Sequence, residues 1–416
     1  MSFQQGLSGL NAAAKSLEVI GNNVANSSTV GFKDGQAQFA DMYANSMNRS
    51  GNSPVGIGVG VANVAQQFSQ GNISSSNNPL DVAINGDGFF RMVGSLDNAA
   101  PLYGRNGQFQ INNDGYIVNP SENGAYLTGW PGTVNGGDPV ALKIDTSNIP
   151  ATQTTGVKTK LNLDSRQVLP TTTPFNAVDP NSYNNSTGVT VYDSLGNTYN
   201  VQTYYVKNAP GTTSTDWDVY TTVDGTPYPA FTPPATQATN GKLTFDSAGL
   251  MTGSTVAPLA LTAKPGASFA GTIALDYTGT TQTGAAFVPI SQFQDGMAPG
   301  VLSSFSISKD GKIIGSYSNN QIKTLGQVLL VNFANPNGLQ PLGNNLYAAS
   351  ADAGAALIGT PTNGSFGSLQ ARATEDSNVD LTAELVNMIT AQRAYQANAQ
   401  TIKTQDQIMQ TLINLR

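Results

Sequence analysis

Near the start of the chain, apolar residues fall at alternating spacings of four and three. Phe3, Leu7, Leu10, Ala14, Leu17, Gly21 and Val24 form one stripe, and all but Gly21 are apolar. A mean period of 3.5 is the signature of a helix that lays a seam against another helix. It predicts a helix over residues 3–26, with Ser2 and Gln5 at capping-box spacing. The same spacing returns at the other end, through Leu381, Leu385, Met388, Gln392, Tyr395, Ala399, Ile402, Asp406, Met409 and Ile413. Ser377 and Asp380 have capping-box spacing ahead of it. At about 1.5 Å per residue, a helix over 380–415 would be roughly 54 Å long. Its off-seam positions are largely Gln, Asn and Thr. A solvated coiled coil carries Glu and Lys there, so both helices are predicted to pack against other protein or to line something that should not be charged.

Between the two stripes the period switches to two. FQINNDGYIV, VTVYDSLGNTYNVQTYYV, KLTFDSAGLMTG and FSISKDGKIIGSYS each alternate apolar and polar residues around a glycine-containing turn. Asp114-Gly115 and Asp310-Gly311 suit tight hairpins, and Asp193–Gly196 and Asp246–Gly249 slightly longer ones. The body is therefore all-β. A Thr-, Pro- and Tyr-rich stretch with hairpins of its own, 146–289, reads as a domain inserted in a hairpin of its parent, a tolerated place for one. Trp130 lies just before it and Trp217 inside it.

The expected fold class is multidomain α+β: paired terminal coiled-coil-like helices plus two mainly antiparallel β domains, the outer one inserted in the inner one. The domains are read as 1–26 with 377–416 (helical), 27–71 with 365–376 (connector), 72–145 with 290–364 (inner β) and 146–289 (outer β). Phe39, Met42, Tyr43 and Met47 have near-helical spacing, so the first connector suits either a short helix or a hairpin.

Composition narrows the function. Charged residues are 11% of the chain against about 25% in typical globular proteins. The surface must be Ser, Thr, Asn, Gln and Gly. The net charge is −7 and no basic cluster occurs, which argues against nucleic acid as a partner. Histidine and cysteine are absent, which removes the commonest general base, thiol chemistry and zinc-thiolate sites. Glutamate occurs only at positions 18, 122, 375 and 384.

The apparent chemical motifs dissolve on inspection. Gly56-Ile57-Gly58-Val59-Gly60 lacks the third glycine and the following helix of a dinucleotide fingerprint. It reads as a glycine-rich strand or linker. Asn85-Gly86-Asp87-Gly88 lacks the ligands of a calcium loop and suits a turn between VAI and FFRM. The Asp-Ser pairs have no histidine to complete a triad. No catalytic, cofactor-binding or metal residue is expected, and no cofactor. No window of 18 apolar residues and no basic-then-apolar leader occurs, so neither membrane insertion nor a cleaved signal peptide is expected.

Three stretches carry a resemblance. Ala25-Asn26-Ser27-Ser28-Thr29-Val30-Gly31-Phe32-Lys33 resembles the A-N-x-x-T-x-G-[FY]-K signature of the bacterial flagellar rod and hook proteins, through Ala25, Asn26, Thr29, Gly31, Phe32 and Lys33. NPLDVAINGDGFFRM (78–92) and the segment 377–416 are similar to the family's second signature and its C-terminal helix. The central insertion resembles the hook-type members more than the shorter rod-type ones.

That resemblance implies a structural subunit, not an enzyme. It would be a homopolymer forming a curved, flexible tube, a universal joint with a central export channel that passes motor torque to the filament. The alternative within the family is a distal rod protein, a rigid drive shaft. The implied partners are further copies of the chain, distal rod, hook cap and hook-filament junction proteins, and the flagellar type III export apparatus. The implied location is the flagellum, outside the cell. In such a tube Leu7, Leu10, Leu17, Val24, Leu381, Leu385, Met388, Tyr395, Ile402, Met409 and Ile413 would form the assembly seam. Absent cysteine would remove any risk of disulfide cross-linking outside the cell.

Overall fold

The computed structural model describes residues 2–43, 56–97, 100–132, 136–209, 211, 214–230 and 236–414. It contains two long helices, α1 (Ser2–Ala25) and α2 (Leu381–Asn414), at the two ends of a chain otherwise built of strands. The architecture is multidomain α+β. Contacts divide it into two units: residues 1–146, 304–316 and 322–416, and residues 147–303 with 317–321.

In the first unit α1 and α2 run antiparallel. Gly6 lies against Ile402, Gly9 against Asn398, and Asn23 within 3.3 Å of the Glu384 carboxylate. The start of α2 is capped by Asp380, whose carboxylate accepts from the N–H groups of Thr382 and Ala383 at 2.9 and 3.2 Å. Ser377, expected as the cap, accepts from Val379. An aspartate one residue before the first turn offers its charge to the positive end of the helix, which a serine three residues earlier cannot reach.

After α1 the chain forms a hairpin, β1 (Gly35–Tyr43) and β2 (Gly56–Gln66), with Gly35 opposite Gln66 and a bulge at Gln38/Phe39. Of the two conformations open to this connector, the hairpin is the one present. Met47 and Gly51 lie outside the described residues. The Gly56–Gly60 run is part of β2, and its glycines let the backbone approach α1. A Cβ on Gly58, whose φ is +132°, would overlap the side chain of Ser8.

Two short ladders then join the halves of the chain: Ile73–Ser75 with Ala373–Glu375, and Val82–Asn85 with Ser368–Ala371. The β body has Phe89–Val93 at its centre, flanked by Pro101–Gly104 and Ala125–Pro131, with Lys312–Tyr317 and Ile322–Val328 further along the same sheet. Its core is aromatic. Phe68, Phe89, Tyr103, Phe333 and Tyr347 meet edge to face, with centroids 4.8 to 6.2 Å apart.

The second unit holds an antiparallel sheet in the order Asn185–Tyr192, Thr198–Lys207, Ser214–Val223, Gly241–Asp246, Met251–Ser254. Beside it, Gly156–Asp164 pairs in parallel with Ala274–Asp276 and Thr281–Thr283, and antiparallel with Val288–Gln294. Trp217, Tyr205, Leu161, Leu243 and Phe245 are buried between them. The return to the parent domain was expected at 290, but that position falls inside a strand of this unit, and the division lies near 303. The composition shift at 290 reflects side chains, whereas the boundary is set by backbone pairing across the sheet, which composition does not record.

Candidate assembly surface and the junction that positions it

The segment after α1 is anchored from within. Asn26 ends the helix by donating its side-chain amide to the Asn22 carbonyl at 3.0 Å, and accepts from the Thr29 hydroxyl at 3.2 Å. Ala25 is the last helical residue. Gly31 follows with φ +73°, and its N–H donates to the Glu375 carbonyl at 2.8 Å. A Cβ there would stand 2.7 Å from the Asn106 backbone nitrogen, so both the left-handed backbone and the close approach require glycine. Phe32 lines a groove with Asn22, Asn26 and Tyr347.

Lys33 then turns inward. Its ammonium lies 2.6 Å from Glu375 Oε1 and 2.8 Å from the Ser69 carbonyl, and neither Lys33 nor Glu375 is exposed to solvent. The Arg105 guanidinium stands 3.4 Å from the other carboxylate oxygen and donates to the Gly86 carbonyl at 3.0 Å. The Gly71 N–H donates to Oε1 at 3.0 Å. Burial lowers the basicity of Lys33, and the adjacent Glu375 charge works against that shift. Asn23 and Asn378 complete the junction. Asn23 exchanges two hydrogen bonds with the backbone of Gly35, and Asn378 bonds Asp34 N–H and the Gln67 carbonyl. Together these groups fix where α1 and α2 leave the β body.

The helices use a different face for each other than the stripes predict. On α1 the buried positions are Gly6, Ala13, Ile20 and Asn23, while Phe3 and Leu7 are 51% and 43% exposed and Leu10, Leu17 and Val24 are half-buried. On α2 Ala391 is buried and Met388 and Ile402 are half-buried. Leu381, Leu385, Tyr395, Met409 and Ile413 are exposed, Ile413 at 70%. The α1 contact is displaced by one residue, about 100° around the helix. Small residues let the two backbones approach closely, and a hydrophobicity pattern counts them as gaps. The large apolar side chains are left on the outside. From about residue 407, given the register at Gly6 and Ile402, α2 also runs past the start of α1, and Ile408, Met409 and Ile413 are exposed there.

Four family models match in succession: "Flagella basal body rod protein" over 3–33, "Flagellar hook protein FlgE/F/G D1 domain" over 83–160, "Flagellar basal body protein FlaE D2 domain" over 162–297, and "Flagellar basal body rod FlgEFG protein C-terminal" over 370–415. The chain is 45% identical to the flagellar hook protein FlgE of Salmonella typhimurium, over 100% of both chains. The chain belongs to the flagellar hook protein family. It is 43% identical to the hook protein of Escherichia coli K12, with both chains covered in full, and 32% identical to that of Treponema pallidum, over 99% of the latter. The crystal structure of Helicobacter pylori flagellar hook protein FlgE2 shares the fold, with a TM-score of 0.53 at 16% identity over 73% of this chain and 100% of that one. These relatives favour hook subunit over distal rod.

In this hook-family chain the rod-protein match over 3–33 ends on Lys33, the residue that anchors the junction. Sequence reasoning found Lys33 and missed its partners Glu375 and Arg105. One signal could have found Glu375. In a chain with four glutamates, Glu375 stands just five residues before the Asp380 helix cap, next to the segment 377–416 that carries the C-terminal part of the family resemblance. No helix of the described residues is long and apolar enough to cross a membrane.

Proposed function

We propose that the chain is a non-enzymatic structural subunit that polymerises with itself into a curved, flexible tube, a joint carrying torque around a central channel. One observation carries this reading. The antiparallel α1–α2 pair hides its small residues inside and leaves Phe3, Leu7, Leu381, Leu385, Met409 and Ile413 exposed. An apolar face of this kind is covered by another protein surface, and further copies of the chain would cover it. In the tube the exposed seam residues would meet between copies, and the β1–β2 connector would reach a neighbour. The wider partners are a distal rod, a cap, a junction protein and the type III export apparatus, and the location is the hook segment outside the cell.

Electron microscopy of the purified chain under assembly conditions tests this. Curved tubes are expected from the parent chain. Leu385→Asp, on a side chain already 46% exposed, should leave the single chain folded and abolish tubes, because the carboxylate would be buried without a partner at several kcal/mol. Tubes at normal yield from that variant would refute the seam.

A further inference from the structure

Every copy of this chain carries a net charge of −7, so copies brought together repel one another on average. One cleft runs against that charge. It lies in the first unit, between the end of the strand Phe89–Val93 and the segment Pro139–Lys143, and has a volume of roughly 530 Å³. Arg91 and Lys143 line it, and none of its described lining residues is an aspartate or glutamate. The Lys143 ammonium stands 5.4 Å from the centre of the Tyr116 ring, which is itself braced edge-on by Tyr126. Arg91 is held by the Thr128 hydroxyl at 3.0 Å, which leaves other guanidinium N–H groups available. Leu96 and Val140, 49% and 47% exposed, flank the opening. Arginine and tyrosine are among the residue types enriched at contact hot spots, and the exposed Leu96 and Val140 add apolar surface beside them.

We infer that this cleft receives a surface carboxylate from a second copy of the chain, resting on the polymer reading above. Two cations are too few to hold a polyanion against salt, since affinity for nucleic acid grows with the number of phosphates neutralised. They suit one or two carboxylates, which an acidic chain presents in abundance. Asp41, Asp97, Asp114, Asp138 and Asp352 are all exposed. Each copy thus supplies both halves of the contact, and the cationic cleft offsets part of the like-charge repulsion and favours one register between neighbours.

Zero-length coupling tests this directly. A carbodiimide activates a carboxylate, and an amine in contact with it displaces the urea by-product to form an amide; the reagent takes up the water that is lost. Tubes built from an equal mixture of nitrogen-14 and nitrogen-15 copies are treated and digested. The expected product is a mixed-isotope peptide joining Lys143 to an aspartate or glutamate, present in tubes and absent from dispersed chains. Lys143→Arg should remove that product and keep the tubes. Lys143→Glu should raise the critical concentration for assembly about tenfold at low salt, with the difference shrinking as the Debye length falls to about 3 Å near 1 M. Tubes in which Lys143 couples to nothing, or only to its own copy, overturn the cleft while leaving the polymer standing. If no tubes form at all, the polymer reading falls and the cleft's partner falls with it.

Discussion

Replacing Glu375 by glutamine tests the buried junction most sharply. The change keeps the shape and keeps an oxygen for the Gly71 N–H, which donates at 3.0 Å. It removes the only carboxylate within 4.0 Å of Lys33 and Arg105 among the described residues, and Lys33 is fully buried. Taking one partner from a buried ion pair costs about 3–5 kcal/mol. The retained Gly71 bond and the long Arg105 contact place this case near 3 kcal/mol. For a unit of this size, a urea dependence of about 3 kcal/mol per molar converts that into a midpoint lowered by about 1 M. The chain supplies its own control. Trp130 belongs to the first unit and Trp217 to the second. With Trp217→Phe or Trp130→Phe as background, each unit is followed alone by fluorescence. The Trp130 transition should move and the Trp217 transition should not. K33M/R105M/E375L, which exchanges all three buried charges for apolar volume, should regain at least half of the loss. A midpoint shift below about 0.3 M for Glu375→Gln, or an equal shift of both transitions, would refute the view that this pair holds the junction.

Three further outcomes are expected. Gly31→Ala should cost about 2–4 kcal/mol, from left-handed strain and the contact with the Asn106 nitrogen. Gly31→Asn should not rescue it, since the collision remains although the backbone is tolerated; the urea midpoint of the first unit reads both. Glu122 is fully buried, neither carboxylate oxygen has a partner among the described residues, and burial pushes its pKa up from 4.5 to about 9. The unfolded chain therefore ionises above 4.5 while the folded one stays protonated up to about 9, so this group's contribution to stability is full below 4.5 and declines as pH rises towards 9. Glu122→Gln should raise stability at pH 7 by about 2–3 kcal/mol and flatten the profile between pH 5 and 8, and parallel profiles of parent and variant would contradict this. Finally, the excised stretch 147–303 should fold alone with Trp217 shielded from quenchers, and a fully quenched, unfolded fragment would show that the second unit depends on the first.

The elements legible in the sequence were those written in local periodicity. The hairpins at Asp114-Gly115, Asp193–Gly196, Asp246–Gly249 and Asp310-Gly311 all join adjacent strands, because a turn and its flanking alternation lie within one short window. The two helices were equally plain. Their mutual face was not: Gly6, Gly9 and Ala13 contribute little to a hydrophobic pattern yet set how closely two backbones approach. Leu7 and Leu385 dominate the pattern and stand outside, so the stripe is not the contact made within the chain. Lys33 was visible as part of a local signature. Glu375, Arg105 and Asn378 were not, since they come together only through the ladders Ile73–Ser75 with Ala373–Glu375 and Val82–Asn85 with Ser368–Ala371. The parallel pairing of Gly156–Asp164 with strands more than a hundred residues later was hidden for the same reason.

Lys33 and Glu375 are 342 residues apart. Closing a loop of that size, against one of about ten residues, takes some five doublings of length, or about 3 kcal/mol of additional entropy. A buried ion pair contributes no more than this net of desolvation, so the bond has little capacity to recruit its own partner from a disordered chain. It forms once the strands between have folded and carried the two ends together, and local hairpins come first in such an order. A polypeptide growing from residue 1 keeps α1 without its antiparallel mate until nearly all the rest has been made. A product stopped short of residue 375 could complete its hairpins and its second unit and still present Lys33 as an unneutralised charge, with α1 resting on the β1–β2 hairpin but without α2. Only a chain made past residue 375 can bury that lysine in its ion pair, and one that lacks α2 also lacks half of the apolar face on which the proposed polymer rests.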